Sequence, residues 1–185
     1  MNVAIDLDGV IAMTPDIISR ELDNLGFKDR DNSQYEPKIK GVEDISSLMN
    51  NVVDDIFINK MDDIKPYEGV NDNLFKEISM IAGITILTAR RKEFYDITIE
   101  WLHKHFPLTE FKLVNQSSRD KTSYIKDNDL QCLVEDRLRT ANQASMEGID
   151  TYLIYREWNS GRRTHKNITR ISHLSTFTSL LASRY

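Results

Sequence analysis

Apolar positions along this chain alternate between two rhythms. Residues 2–7 (NVAIDL) form a short β-prone run that breaks at Asp6-Leu7-Asp8-Gly9, the pattern of a strand leaving its sheet at the C-terminal end. From Pro15 to about Asn24 the spacing turns helical, with Ile17, Ile18, Leu22 and Leu25 on one face and Gly26 as the stop. Residues 28–40 are polar and loop-like, and helices are predicted from about Val42 to Met49 and from about Val52 to Lys60. After the Pro66–Gly69 punctuation, Asn71–Met80 is helical, residues 83–88 (GITILT) are a buried-type strand, and a helix runs from about Arg91 to His105, where Pro107 ends it. The unit then recurs. Strands are predicted at 111–114, 131–134 and 150–155, and helices at 120–127 and 137–147, the latter closed by Gly148. A last helix spans about Ser175 to Ala182, with Ser175 as its N-cap.

Strands that are apolar throughout, alternating with helices, argue for a parallel sheet covered on both faces. The predicted fold is therefore α/β, a three-layer Rossmann-like parallel sheet. The helices between the first two strands break the rhythm and read as an insertion. Residues 1–14 and 66–185 then make the core, and residues 15–65 the inserted unit.

Composition narrows the class. The 185 residues are 40% hydrophobic and 29% charged, an ordinary globular balance, and the net charge of −5 offers no basic field for a nucleic-acid polymer. A polyanionic substrate would need a metal or a few placed cations. Cys132 is the single cysteine, which excludes an internal disulfide and a four-thiolate zinc site and fits a reducing compartment. Acid arrives at position 6 with no secretory apolar region before it, and no apolar run is long enough to span a bilayer. A cytoplasmic protein without a membrane partner is expected.

In an open parallel sheet, ligands bind beyond the carboxyl ends of the strands. Those ends carry Asp6, Asp8 and Gly9; Thr88, Ala89 and Arg90; Asn115, followed by Arg119 and Lys121; and Glu135 with Asp136. Acids, a hydroxyl and cations on one rim suit a hard divalent cation and a phosphoryl group. In an extended strand, i and i+2 face one side, so Asp6 and Asp8 can address one pocket. One carboxylate can attack phosphorus while the other moves the proton. The bland alternative is an acidic turn capping a strand. Glu135 and Asp136, adjacent at the end of an apolar strand, repel each other unless a cation such as Mg2+ compensates, although Asp136 also suits an N-cap. The Thr88 hydroxyl and the Ala89 and Arg90 amides are expected at a helix start, where free N–H groups meet anions. Lys121 and Arg119 compete for the role of phosphate-binding cation.

Other residues read as structural. Cys132 belongs to a strand core, His103 and His105 to different helix faces, and Asp54, Asp55, Asp62 and Asp63 to solvated surface. The run Arg156 to Lys166 reads as a solvated loop, but it follows the last predicted strand and can also rim the pocket.

The order D-x-D-G-V, a strand ending in Thr, then Lys, then E-D after a strand resembles the haloacid-dehalogenase-like (HAD) hydrolase superfamily. The match spans Asp6 to Asp136. Within it, ILTAR and LVEDR…A…EGID-YLI-Y are similar to the 5′(3′)-deoxyribonucleotidase-type branch. The resemblance implies Asp6 as nucleophile and magnesium ligand. It implies Asp8 as general acid/base with its main-chain carbonyl on the metal, Asp136 as a direct ligand, and Glu135 nearby or bridging through water. Thr88, Ala89, Arg90 and Lys121 would hold phosphoryl oxygens, and residues 15–65 would be a helical cap. The implied activity is hydrolysis of a small phosphomonoester, with a nucleoside monophosphate first and a sugar phosphate or other metabolite second. The competing class is a phosphate- or metal-binding module without turnover. Phe27, Tyr35 and Phe57 in the inserted unit, with Tyr67 just after it, are the aromatics available to stack on a base.

Overall fold

The computed structural model describes residues 1–31 and 37–184. Six parallel strands form the central sheet: β1 (Asn2–Ile5), β4 (Gly83–Thr88), β5 (Lys112–Asn115), β6 (Cys132–Glu135), β7 (Asp150–Ile154) and β8 (Ile168–Ile171). Their order across the sheet is β5-β4-β1-β6-β7-β8. Alternate side chains of each strand enter two separate apolar clusters. Val3, Ile5, Cys132 and Val134 face one layer, built with α3 (Asp72–Ser79), α4 (Tyr95–His105) and α7 (Leu174–Arg184). Ala4, Leu87 and Leu133 face the other, built with α5 (Lys121–Asp127) and α6 (Leu138–Met146). Strands buried on both faces explain the unbroken apolar runs in the sequence. The three-layer α/β architecture is as predicted, and Cys132 is core.

Between β1 and β4 the chain leaves the core. Its exit and return run side by side: Met13 N donates to Lys65 O and Tyr67 N to Ile11 O, each at 2.9 Å. The inserted unit carries α1 (Thr14–Asn24), α2 (Ile45–Asn59) and a short antiparallel pair, β2 (Arg30–Asp31) with β3 (Lys38–Ile39). Two expectations are corrected here. The 28–40 stretch is not wholly loop, and the two helices predicted between Val42 and Lys60 are one. The polar Asn50-Asn51 pair interrupts the apolar spacing, but an asparagine costs a helix only about 0.7 kcal/mol. Asp44 starts the single helix by accepting from Ser47 N at 2.9 Å.

Elsewhere the sequence missed β8, whose half-exposed edge position leaves no apolar run to read. Ser175 lies inside α7 and does not cap it. The Asp62 and Asp63 carboxylates pair in the open with Lys104 and Arg20, as solvated surface acids do. His103 is exposed, whereas His105 is half-buried against Trp101. Among the described residues, no helix is long and apolar enough to cross a membrane.

Candidate active site at the switch point of the sheet

From β1 the chain works outward through β4 to β5, then crosses back to β6 and works outward the other way. The connections leaving β1 and β6 therefore diverge, and the crevice between their carboxyl ends is where such sheets bind ligands. Asp6 follows β1, Glu135 ends β6 and Asp136 follows it; Asp6 N donates to Val134 O at 2.9 Å. Ligand atoms of Asp6, Glu135 and Asp136 all lie within 4.8 Å of one another, and all three residues are buried.

Lys121, the first residue of α5, reaches this cluster with its side chain 2% exposed. Its Nζ lies 2.7 Å from Asp6 Oδ1 and 3.0 Å from Glu135 Oε2. Arg119 is exposed, so Lys121 is the cation at the carboxylates. Glu135 Oε1 accepts from the amides of Asp136 (3.2 Å) and Arg137 (3.0 Å). Both Glu135 oxygens are thus engaged, and Glu135 rather than Asp136 serves the backbone ahead of α6. The side chain of Asp136 does not cap that helix.

Asp8 takes a different direction from the one its i+2 spacing suggests. The strand ends at Ile5, and Gly9, with φ +86°, turns the chain before the extended pattern can continue. The Asp8 carboxylate accepts from Arg90 Nη2 (2.7 Å), Arg90 Nε (3.0 and 3.1 Å) and Thr14 Oγ1 (2.5 Å), with Thr88 Oγ1 at 3.4 Å. It stands outside the three-carboxylate cluster.

Thr88 ends β4 beside Asp8 and is fully buried. The expected helix start at Thr88-Ala89-Arg90 is corrected: α4 begins at Tyr95, after a 3-10 turn over Lys92–Phe94. Ala89 is exposed, and the Arg90 amide donates to Thr88 Oγ1 at 3.2 Å. The sequence assigns Arg90 to the phosphate through its amide; its guanidinium is locked inward. It lies over the Phe57 ring at 4.4 Å, donates to Thr98 Oγ1 (3.1 Å) and Thr14 Oγ1 (3.2 Å), and clamps Asp8. Phe57, read in the sequence as an aromatic available to stack on a base, and Thr98, which drew no attention there, become partners of this arginine only in the packed structure.

Phe27 and Phe57 of the inserted unit, and Tyr67 just after it, have structural partners. Phe57 is buried against Phe94 (centroids 5.0 Å apart), and Phe27 packs on the core. Tyr67 lies under the Arg156 guanidinium at 3.9 Å and donates its hydroxyl to Asp16 Oδ2 at 2.7 Å. Tyr35 lies outside the described residues. Arg156 also donates from Nε to Gly9 O at 2.8 Å, so the basic run after β7 does rim the site.

Burial, and then repulsion from Glu135, push the Asp6 carboxyl well above the ordinary range. Burial, Glu135 and Asp6 do the same to Asp136. Burial opposes the charge on Asp8, yet the Arg90 guanidinium and its hydrogen bonds outweigh it and hold Asp8 low. Glu135 is likewise held low against burial, by Lys121. Raised acids stabilise the fold below the ordinary carboxyl range and lose that contribution as pH climbs through their raised values. Lowered acids change nothing above that range. Above about pH 5, protein kept in chelator should therefore lose stability with rising pH through this cluster. A divalent cation must displace the same protons, so its affinity should rise with pH and binding should release protons. Melting curves with and without Mg2+ across pH, and calorimetry in buffers of different ionisation enthalpy, check both; pH-independent binding without proton release would refute them.

The donor set fits a hard divalent cation. It offers carboxylate oxygens only, and Asp136 Oδ1 is buried with no donor among the described residues. Gly9 leaves room for the cluster, since a Cβ there would lie 2.2 Å from Asp136 Oδ2.

No family model matches the chain, and no curated protein matches its sequence. The architecture is that of solved haloacid dehalogenase-like hydrolases. A hydrolase of that family from Streptococcus pneumoniae superposes with a TM-score of 0.66 at 12% identity, covering 97% of each chain. CbbY from Rhodobacter sphaeroides in complex with phosphate gives 0.56 at 11% identity, covering 94% of each chain. A variant of CbbY in complex with xylulose-(1,5)bisphosphate gives 0.55 at 11% identity over the same shares. At these identities the likeness is one of fold.

Proposed function

We propose that this chain is a cytoplasmic, magnesium-dependent phosphomonoester hydrolase that works through a phosphorylated Asp6. One observation carries the reading. Asp6 and Asp136 meet at the switch point of the sheet, with buried Lys121 joining Asp6 to Glu135. Asp6, Asp136 and the Asp8 carbonyl would hold Mg2+, with Glu135 beside them. When bound, the cation would neutralise phosphoryl charge and align it with Asp6.

An Asp6 oxygen attacks phosphorus and the ester P–O bond breaks, with the leaving oxygen taking a proton from Asp8. Water, giving its proton back to Asp8, then attacks the aspartyl-phosphate and releases Asp6 and phosphate. The Arg90 clamp favours ionised Asp8, which suits the second step. The first step needs Asp8 protonated, and the charge of an adjacent phosphate favours that. Lys121 and Thr88 would hold phosphoryl oxygens, with the exposed Ala89 and the Arg90 main chain at the rim. Residues 15–65 would cap a core of 1–14 and 66–185 and exclude water.

A small phosphorylated metabolite, such as a sugar phosphate, suits the pocket best, because Phe57 and Phe27 are committed to packing and Tyr67 carries Arg156. A nucleoside monophosphate is the second reading, carried by the ILTAR and LVEDR segments. Mg2+-dependent hydrolysis of p-nitrophenyl phosphate tests the activity, with Asp6→Asn expected to lower kcat by about 10,000-fold. Sugar phosphates and nucleoside monophosphates tested side by side choose between substrates. A folded protein inert toward every phosphomonoester would instead support a binding module.

A further inference from the structure

Parallel neighbours in a sheet need a crossover, and the one joining β7 to β8 starts at the carboxyl end of β7, next to that of β6. It carries a 3-10 turn, Glu157–Asn159. Asn159 is fully buried, and its Nδ2 donates to Asp136 O and to Ile154 O, each at 2.8 Å. Arg170 of β8 braces it, donating from Nη1 to Asn159 Oδ1 (3.2 Å) and from Nη2 to Asn159 O (3.1 Å). The turn so fixed delivers Trp158, whose Nε1–H donates to Asp136 Oδ2 at 2.9 Å. The two Asp136 oxygens are thereby made unequal. Oδ2 is held by the indole, while Oδ1 is buried without a donor among the described residues, on a carboxylate that clusters with those of Asp6 and Glu135.

We propose that Trp158 is a positioning residue for the metal centre: its indole N–H fixes the Asp136 carboxylate so that Oδ1 is presented to the divalent cation. The inference rests on the proposed function in one respect only, that the Asp6–Asp136 cluster binds Mg2+. Its physical basis is general. A carboxylate ligand is oriented by what its other oxygen accepts, and losing such a partner costs metal affinity. A tryptophan that merely packs would contribute through its ring, which phenylalanine largely retains. Because the indole touches the ligand directly, it also reports the state of that ligand.

Mg2+ titrations of wild type and Trp158→Phe by calorimetry are the test, with tryptophan emission recorded alongside. Wild type should bind Mg2+ with a change in emission, and W158F should bind about 10- to 100-fold more weakly. Activity of W158F should recover as Mg2+ is raised, with KM for substrate unchanged. Wild-type affinity in W158F overturns the inference and leaves the metal reading standing. No Mg2+ binding by wild type overturns the metal reading itself. Should W158F fail to fold, the wild-type chain still decides. It has two tryptophans, and in 1H–15N NMR the Trp158 indole resonance should shift on adding Mg2+; indole resonances unmoved while Mg2+ binds overturn the proposal.

Discussion

Replacing Gly9 by alanine should lower the proposed phosphatase activity about 100-fold while leaving a folded protein. Gly9 sits at φ +86°, a conformation that an L side chain rarely adopts. More decisively, its new Cβ would lie 2.2 Å from Asp136 Oδ2 and 2.5 Å from Asp136 Cγ. Neither side can yield freely. The turn is pinned by Arg156 Nε on Gly9 O, and Asp136 by Trp158 on Oδ2 and Asn159 on its carbonyl. Relief must come from a shift of the Asp8–Gly9 turn or of Asp136, which separates the acids proposed to share the cation. A displacement of about 1 Å costs roughly 100-fold in rate, and the strain should cost about 1–3 kcal/mol of stability. Steady-state kinetics across Mg2+ concentrations, with a melting curve, read both. A G9A protein with wild-type kcat and Mg2+ dependence would show that the close approach of Gly9 to Asp136 has no bearing on function.

The second large effect is expected at Lys121. A lysine buried this fully would ordinarily lose its proton, but Asp6 and Glu135 more than offset burial and hold it charged. Lys121→Met keeps the length of the stem and removes the charge. Asp6, Glu135 and Asp136 are then left buried without the cation between them. Breaking a buried ionic network from one side costs about 3–5 kcal/mol. For a chain of this size that lowers Tm by roughly 6–20 °C. Protonation of the freed acids relieves the cost, so the deficit in chelator should shrink as pH falls. Added Mg2+ should also restore part of the lost Tm, because the cation meets the same carboxylates. Activity should fall about 100- to 1,000-fold even where Mg2+ restores stability, since the donor proposed for the phosphoryl group is gone. Arg119→Met is the control, and its exposed position predicts no change. K121M as stable as wild type in chelator, or R119M as the inactive variant, would contradict this placement.

Both predictions concern residues visible in the sequence, but for different reasons. Asp6, Gly9, Thr88 and the Glu135-Asp136 pair could be found because each ends an apolar strand. The rule that parallel sheets bind ligands at carboxyl ends then gathers them without coordinates. The local signal failed where partners come from afar. The Arg90 amide is expected at a helix start because it follows Thr88, yet α4 begins only at Tyr95, and Phe57, Thr98 and Thr14 turn the guanidinium onto Asp8. Glu135, expected beside the metal, does lie in the carboxylate cluster, but its hydrogen bonds to Lys121 and two amides were not legible in the sequence. The β8 strand went unseen because an edge strand needs only one buried face.

Sequence alone determined the layered α/β plan and the set of acids at the strand ends, because strand burial and strand termini are written in short runs of neighbouring residues. Tertiary structure alone decided that Lys121 rather than Arg119 meets those acids, that Asp8 answers to Arg90, and that Trp158 holds Asp136. Those choices depend on which distant segments the packed layers bring within hydrogen-bond reach, and a side chain's direction is fixed by the partners that satisfy it once buried.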